Sequence, residues 1–199
     1  MKKNAFIIAL TILTGCSITQ LQNKELISPD QLRSGDVNIR SLATGFSGGR
    51  VGFGRLSLLY IPVAPVRIES NEANDLMNTI RDALIVSGYD VSVTDDLEAS
   101  PVLKAHVNEV KFNNYTWAAP LIPTFGSIDV TLTLESEEGL VLWEKGFSGG
   151  GTSWNLFNGF NVAAREVMTR LGNEMVNSFS GPDFFLALEK EISQPPAEL

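Results

Sequence analysis

The chain has 199 residues, 44% hydrophobic and 19% charged, with 23 acidic side chains against 15 lysines and arginines and a formal net charge of −8. That length suffices for one domain with a sizeable buried core plus a flanking segment. The acidic balance argues against a nucleic-acid partner, because phosphates need clustered Lys and Arg, and against broad electrostatic adhesion to anionic lipid headgroups.

Lys2 and Lys3 give a positively charged start, and Ala5 to Leu13 form a short apolar run broken only by Thr11. Leu13-Thr14-Gly15-Cys16 closes the run with small residues before a cysteine. This is the three-part layout of a secretory signal peptide. The run is about half of the roughly 20 apolar residues that span a bilayer, so it does not read as a retained transmembrane helix. Cys16 is the single cysteine, which rules out a disulfide within the chain. The Leu-Thr-Gly-Cys ending resembles the lipobox of bacterial lipoproteins. The resemblance implies cleavage before Cys16, a diacylglycerol on its sulfur and a third acyl chain, such as palmitate, on the new amino group. At about 0.8 kcal/mol per buried methylene, one chain binds weakly and two or more hold firmly. Removing residues 1–15 leaves 184 and takes the formal charge from −8 to −10.

Residues 16–50 then read as the lipidated cysteine and a polar tether, rich in Ser, Thr, Gln, Asn and Gly, with a short strand late in it. A flexible tether of that length reaches roughly 30–35 Å. Residues 51–199 read as a single domain. Leu56 to Val63 is a run of β-formers with Pro62 and Pro65 at its exit. Ser70 or Asn71 caps a helix whose apolar face is Ala73, Leu76, Met77, Ile80, Ala83 and Leu84, stopped by Gly88. Tyr89, Val91 and Val93 alternate as a strand. Leu103, Ala105 and Val107 share one face of the next; the apolar phase then slips to Val110 and Phe112, which places a bulge near Asn108. Ile128, Val130, Leu132 and Leu134 alternate with polar residues, and Glu137-Glu138-Gly139 turns the chain into a hairpin partner, Leu140 to Phe147. Asn161 caps a second helix with an apolar face of Ala164, Val167, Met168, Leu171, Met175 and Phe179. Ser180 to Asp183 breaks it before a short last helix, Phe184 to Ile192. The expected fold is α+β: a mostly antiparallel sheet of about four to six strands, two main helices packed on one face, and a short C-terminal helix.

Chemistry is sparse. His106 is the single histidine, on the strand face opposite Leu103, Ala105 and Val107, and no second His or Cys joins it as a metal ligand. No G-x-S-x-G elbow accompanies it. Asp95-Asp96 and Glu137-Glu138 sit where turns are already required. Gly52-x-Gly54 lacks a third glycine and a following helix. Gly149-Gly150-Gly151 lacks the Gly-Lys-Ser/Thr end of a phosphate loop and reads as a flexible hinge, as does the first copy of the Phe-Ser-Gly-Gly tetrapeptide at 46–49. No catalytic, cofactor-binding or metal-binding residues are assigned, and no enzymatic activity is expected.

One stretch stands out. Residues 115–125, from Tyr115 to Phe125, form an apolar loop with two prolines between two strands. Prolines keep it out of the sheet, loops run over the surface, and an exposed apolar patch marks an interface. Trp117, Leu121, Ile122 and Phe125 are therefore candidate interface residues, or else the loop folds back and plugs one end of the core. Trp154, Phe157 and Phe160 share that ambiguity.

The lipobox, the helix ending in Gly88-Tyr89-x-Val91, the hairpin at Glu138-Gly139, the Gly-rich exit after Phe147 and the Asn161 helix closing on Asp183-Phe184 together resemble the YajG-type family of small bacterial lipoproteins. The likeness spans about residues 56–192, and it extends more loosely to auxiliary lipoproteins of ABC transport systems. It implies an outer-membrane-anchored periplasmic protein without known catalysis. Position 17 is Ser, where the inner-membrane retention signal of enteric bacteria has Asp. The expected role is an interaction or assembly component with a protein partner or self-association, held to the membrane by its lipid; the alternative is a transport accessory or carrier for an apolar ligand.

Overall fold

The computed structural model describes residues 17–18, 21–23, 25–40, 50–56, 61–68, 72–94, 101–114, 123–155 and 159–192. Residues 1–15, read above as a signal peptide, and Cys16, Trp117, Leu121 and Ile122 lie outside the described residues. The elements are β1 (Ser17–Ile18), β2 (Asp36–Arg40), β3 (Arg50–Leu56), β4 (Ile61–Ile68), α1 (Glu72–Val86), β5 (Asp90–Thr94), β6 (Val102–Asn114), β7 (Thr124–Glu135), β8 (Val141–Ser153), α2 (Gly159–Phe179) and α3 (Pro182–Ile192).

The spine of the sheet is β6. On one side it pairs antiparallel with β7 along its length, and β7 pairs antiparallel with β8. The other side is shared. At its N-terminal end β6 takes β2 in parallel, Asn38 beside Val102 and Ile39 beside Leu103. At its C-terminal end it takes β3 in parallel, Gly52 beside Phe112 through Gly54 beside Asn114. Beyond β2 lies β5, also parallel. Beyond β3 lies β4, antiparallel, which carries β1 in parallel. The class is α+β as expected; the sheet is mixed rather than mostly antiparallel, and among the described residues eight strands join it. The additional strands come from the residues ahead of α1. The run Leu56 to Val63 is not one strand: β3 ends at Leu56 and β4 begins at Ile61. Pro62 and Pro65 lie within β4, outside the described pairing of β1 with Arg67 and Ile68.

Within the segment expected as a polar tether, the described residues 17–18, 21–23 and 25–40 are packed on the domain rather than free. Ile18, Leu21, Leu26, Val37 and Ile39 are buried in the same core as the helices. The segment runs as a strap along the groove between α1 and α2. The Leu21 amide donates to Asp75 Oδ2 at 3.4 Å, the Ile27 amide to Asn173 Oδ1 at 2.9 Å, and the Arg33 amide to the Ser87 carbonyl at 2.8 Å. Arg33 Nε reaches the Ser180 carbonyl at 3.1 Å. Leu26 therefore stands level with Thr79 and Gly172, and Arg33 level with Ser87 and Ser180, so α1 and α2 run in the same direction. Scattered leucines without a period look like linker in sequence, because an extended strap buries side chains singly rather than along a face.

The amphipathic elements stand close to where their periods place them. In α1, Leu76, Met77, Ile80, Ala83 and Leu84 are buried, and Gly88 follows the helix with φ +100°. The β6 register shifts between Val107 and Glu109, and Asn108 Nδ2 donates to Thr131 Oγ1 at 2.9 Å. On β7, Ile128, Val130, Leu132 and Leu134 are buried, and the hairpin turns at Gly139. α2 begins at Gly159, two residues before Asn161, with Phe160 buried. α3 begins at Pro182, whose absent N–H is one of the unsatisfied donors of a first turn in any case.

The Gly149-Gly150-Gly151 stretch is not a hinge; it is the last third of β8, paired with Ile128, Ser127 and Gly126. A Cβ on Gly149 would meet the Val167 carbonyl oxygen at 2.6 Å, and one on Gly151 the Ala163 carbonyl oxygen at 2.4 Å. The glycines let α2 settle onto the strand closer than any side chain would permit. At Gly150, on the other face, nothing lies within 4 Å.

Candidate interaction surface

A sheet has two kinds of surface to offer, a strand edge and a face. The outer edge of β8, which among the described residues pairs with β7 alone, is the first candidate, since such edges recruit further strands. Here α2 guards it. The Thr152 amide donates to Glu166 Oε2 at 2.9 Å and the Ser148 amide to Glu174 Oε2 at 3.4 Å. Glu166, Arg170 and Glu174 recur every four residues on one helical ridge, and Arg170 bonds Glu166. Carboxylates thus occupy edge donors that an added strand would need.

The outward face of β6 to β8 is polar over most of its length. Thr131 and Thr133 of β7 point outward beside His106 and Lys104 of β6, and the Lys104 ammonium pairs with Glu135. His106 is exposed opposite Thr131. Among the described residues no group of three or more His, Cys, Asp or Glu side chains is placed to hold a metal ion.

The face changes character at one end. Asn114, Thr124 and Ser153 stand level across β6, β7 and β8, at the end where residues 115–123 connect β6 to β7 and where β8 gives way to α2. Phe125, on the face opposite Ile128 and Val130, is 45% exposed, and Trp154, directly after β8, is 64% exposed. Two details produce this display. Ser153 is buried and its Oγ accepts the Asn155 amide at 3.1 Å, a local turn that leaves Trp154 between them on the outside. Beneath, the fully buried Phe112 ring covers Gly126, where a Cβ would come 2.2 Å from Phe112 Cε1, so the inner face is already filled. Phe160 is buried and belongs to the core rather than the patch; Phe157 lies outside the described residues. Of the four interface candidates, Phe125 alone is described. Trp154 was legible in sequence only as an ambiguous aromatic, because what distinguishes it from Phe160 is the Ser153 turn.

No family model matches the chain, and no curated protein matches it. Among solved structures it resembles a Xanthomonas campestris protein of the DUF330 family, with a TM-score of 0.55 and 13% identity over 90% of this chain and 96% of that one. At that identity the likeness is one of fold. More distant likenesses are to a putative neuraminyllactose-binding hemagglutinin homolog from Helicobacter pylori (TM-score 0.47, 10% identity, 89% and 100% of the two chains) and a minor lipoprotein from Acinetobacter baumannii (TM-score 0.41, 13% identity, 83% and 100%). Among the described residues no helix is long and apolar enough to cross a membrane.

Proposed function

We propose that this chain is a lipid-anchored protein of the bacterial envelope that acts without catalysis, as an interaction or assembly component on the periplasmic face of the outer membrane. The observation that carries the reading is Leu13-Thr14-Gly15-Cys16 behind a charged start and a short apolar run, with a buried domain residue, Ile18, two positions later. A cysteine there is where thioether acylation and cleavage require it, and several acyl chains hold a domain firmly at a membrane. Ser17 in place of Asp favours onward sorting to the outer membrane, and the likeness to YajG-type lipoproteins is the finer form of the same reading.

The carrier alternative needs an apolar space between sheet and helices. That region holds the rings of Trp143, Phe147, Phe179 and Phe184, with centroids 4.8 to 6.4 Å apart. Rings packed at contact distance favour the interaction reading. The test is Cys16→Ser in intact cells with labelled fatty acid, followed by crosslinking and membrane fractionation of the parent. The parent is expected to be acylated, to fractionate with the outer membrane and to crosslink to a partner or to itself. A Cys16→Ser protein processed and labelled like the parent would overturn the reading.

A further inference from the structure

We infer that the pole carrying Phe125 and Trp154 lies against the bilayer to which Cys16 is anchored, held there by a leash of a single residue. The inference rests on the lipid-anchor reading above and adds an orientation and a contact surface to it.

The direction of the leash follows from strand polarity. β1 runs parallel to β4, β4 antiparallel to β3, and β3 parallel to β6. Traced backward from Ile18 through Ser17, the chain therefore heads toward the C-terminal end of β6, the end marked by Asn114, Thr124 and Ser153. The level can be read off as well. Ser17 stands beside Arg67, Arg67 beside Arg50, and Gly52 beside Phe112, so the position before Ser17 lies about two residues short of that end. Both β1 and β8 touch α2, so the chain exit and Trp154 flank one helix.

The length of the leash follows from burial. Ile18 is fully buried and Leu21 nearly so, with the Leu21, Ile27 and Arg33 amides bonded to the helices. Lengthening the leash would strip these side chains from the core. One Cα–Cα step of about 3.8 Å separates Ser17 from the anchored residue, where a free tether would allow tens of ångströms. A domain so closely held must rest some surface on the lipid. Among the described residues, the exposed aromatic side chains at that end of the sheet are Trp154 and Phe125. A tryptophan ring is apolar with a single N–H, which suits the headgroup boundary. With residues 1–15 removed the formal charge is −10, so the chain has no general attraction to anionic lipid, and the contact is aromatic.

The experiment uses the full acylated protein on vesicles of phosphatidylethanolamine and phosphatidylglycerol. Acylation blocks the Cys16 sulfur, so a cysteine introduced at Trp154 or at Leu140 is the sole free thiol for a nitroxide label. Leu140 is 57% exposed at the β7–β8 hairpin, roughly 45 Å from Trp154 along the strands. The label in Trp154→Cys is expected to show a several-fold higher ratio of oxygen to nickel-chelate collisions than that in Leu140→Cys, and Phe125→Cys repeats the measurement at a second site. Equal, aqueous ratios at both poles in a protein whose mass includes the lipid would overturn the orientation while leaving the anchor standing. A label at 154 as shielded in the unlipidated chain expressed from Ser17 onward as on vesicles would assign the face to a second copy and overturn it too. A mature protein without lipid mass would overturn both readings.

Discussion

Leu26 fills the notch that Gly172 leaves in α2: a Cβ at 172 would lie 2.7 Å from Leu26 Cδ2 and 3.2 Å from Thr79 Cγ2. One glycine in the helix interior thus seats the strap against both helices at once. Without it the N-terminal segment would have no place in the groove.

Leu26→Ala is expected to lower stability by about 2–4 kcal/mol, the range for a buried leucine, whereas a tether residue would cost under about 0.5 kcal/mol. Gly172→Val should cost about 1–3 kcal/mol through overpacking. Combined, the two substitutions should cost clearly less than they do separately, because removing Leu26 makes room for the new side chain. Chemical denaturation of the four proteins checks this. Strict additivity would sink the strap–notch relationship.

The glycines of β8 make a paired prediction. Gly151→Ala should be destabilising by on the order of 1–3 kcal/mol, because the new Cβ runs into the Ala163 carbonyl and Val167. Gly150→Ala, with open space around it, should be neutral or slightly stabilising, since glycine weakens a strand interior. A hinge would respond alike at both positions. Melting temperatures of the two variants decide between them.

At the sheet edge, Glu166→Ala should leave the Thr152 amide without its carboxylate acceptor. Its hydrogen exchange is expected to accelerate and the protein to self-associate more readily through β8. Exchange at Thr152 unchanged from the parent would mean that the helix shields this edge by bulk and not by the carboxylate.

Tyr89 gives the expected pH dependence. Its hydroxyl donates to the Phe179 carbonyl at 3.0 Å, and its ring stands edge-on to Phe184 at 5.5 Å. Burial pushes its pKa up to about 12, partly opposed by the Arg33 charge. The folded chain therefore keeps this proton to higher pH than the unfolded chain does. The associated stability is fully present below about pH 10 and is lost as pH rises toward 12, on the order of 2–3 kcal/mol. Other groups titrate there too, so the measurement is the difference between parent and Tyr89→Phe. Parallel pH profiles would refute the assignment.

What the sequence by itself determined is everything carried by a local period or a local stop. The i, i+3, i+4 leucines and alanines of α1 and α2, the alternation of Ile128 to Leu134, the Glu138-Gly139 turn and even the phase slip at Asn108 each report a neighbour-scale constraint. What only the tertiary structure decided is whatever depends on residues far apart in the chain. Val37 and Ile39 enter β2 because β5 and β6 leave a slot between them, and parallel pairing has no local turn signal to announce it. Gly149 and Gly151 read as a hinge because a missing side chain looks the same whether it confers freedom or admits a helix. Leu21 and Leu26 read as linker because the groove that buries them is made by α1 and α2, elements 50 to 150 residues downstream. Burial is set by the partner surface, and in the strap that surface is not written next to the residues it buries.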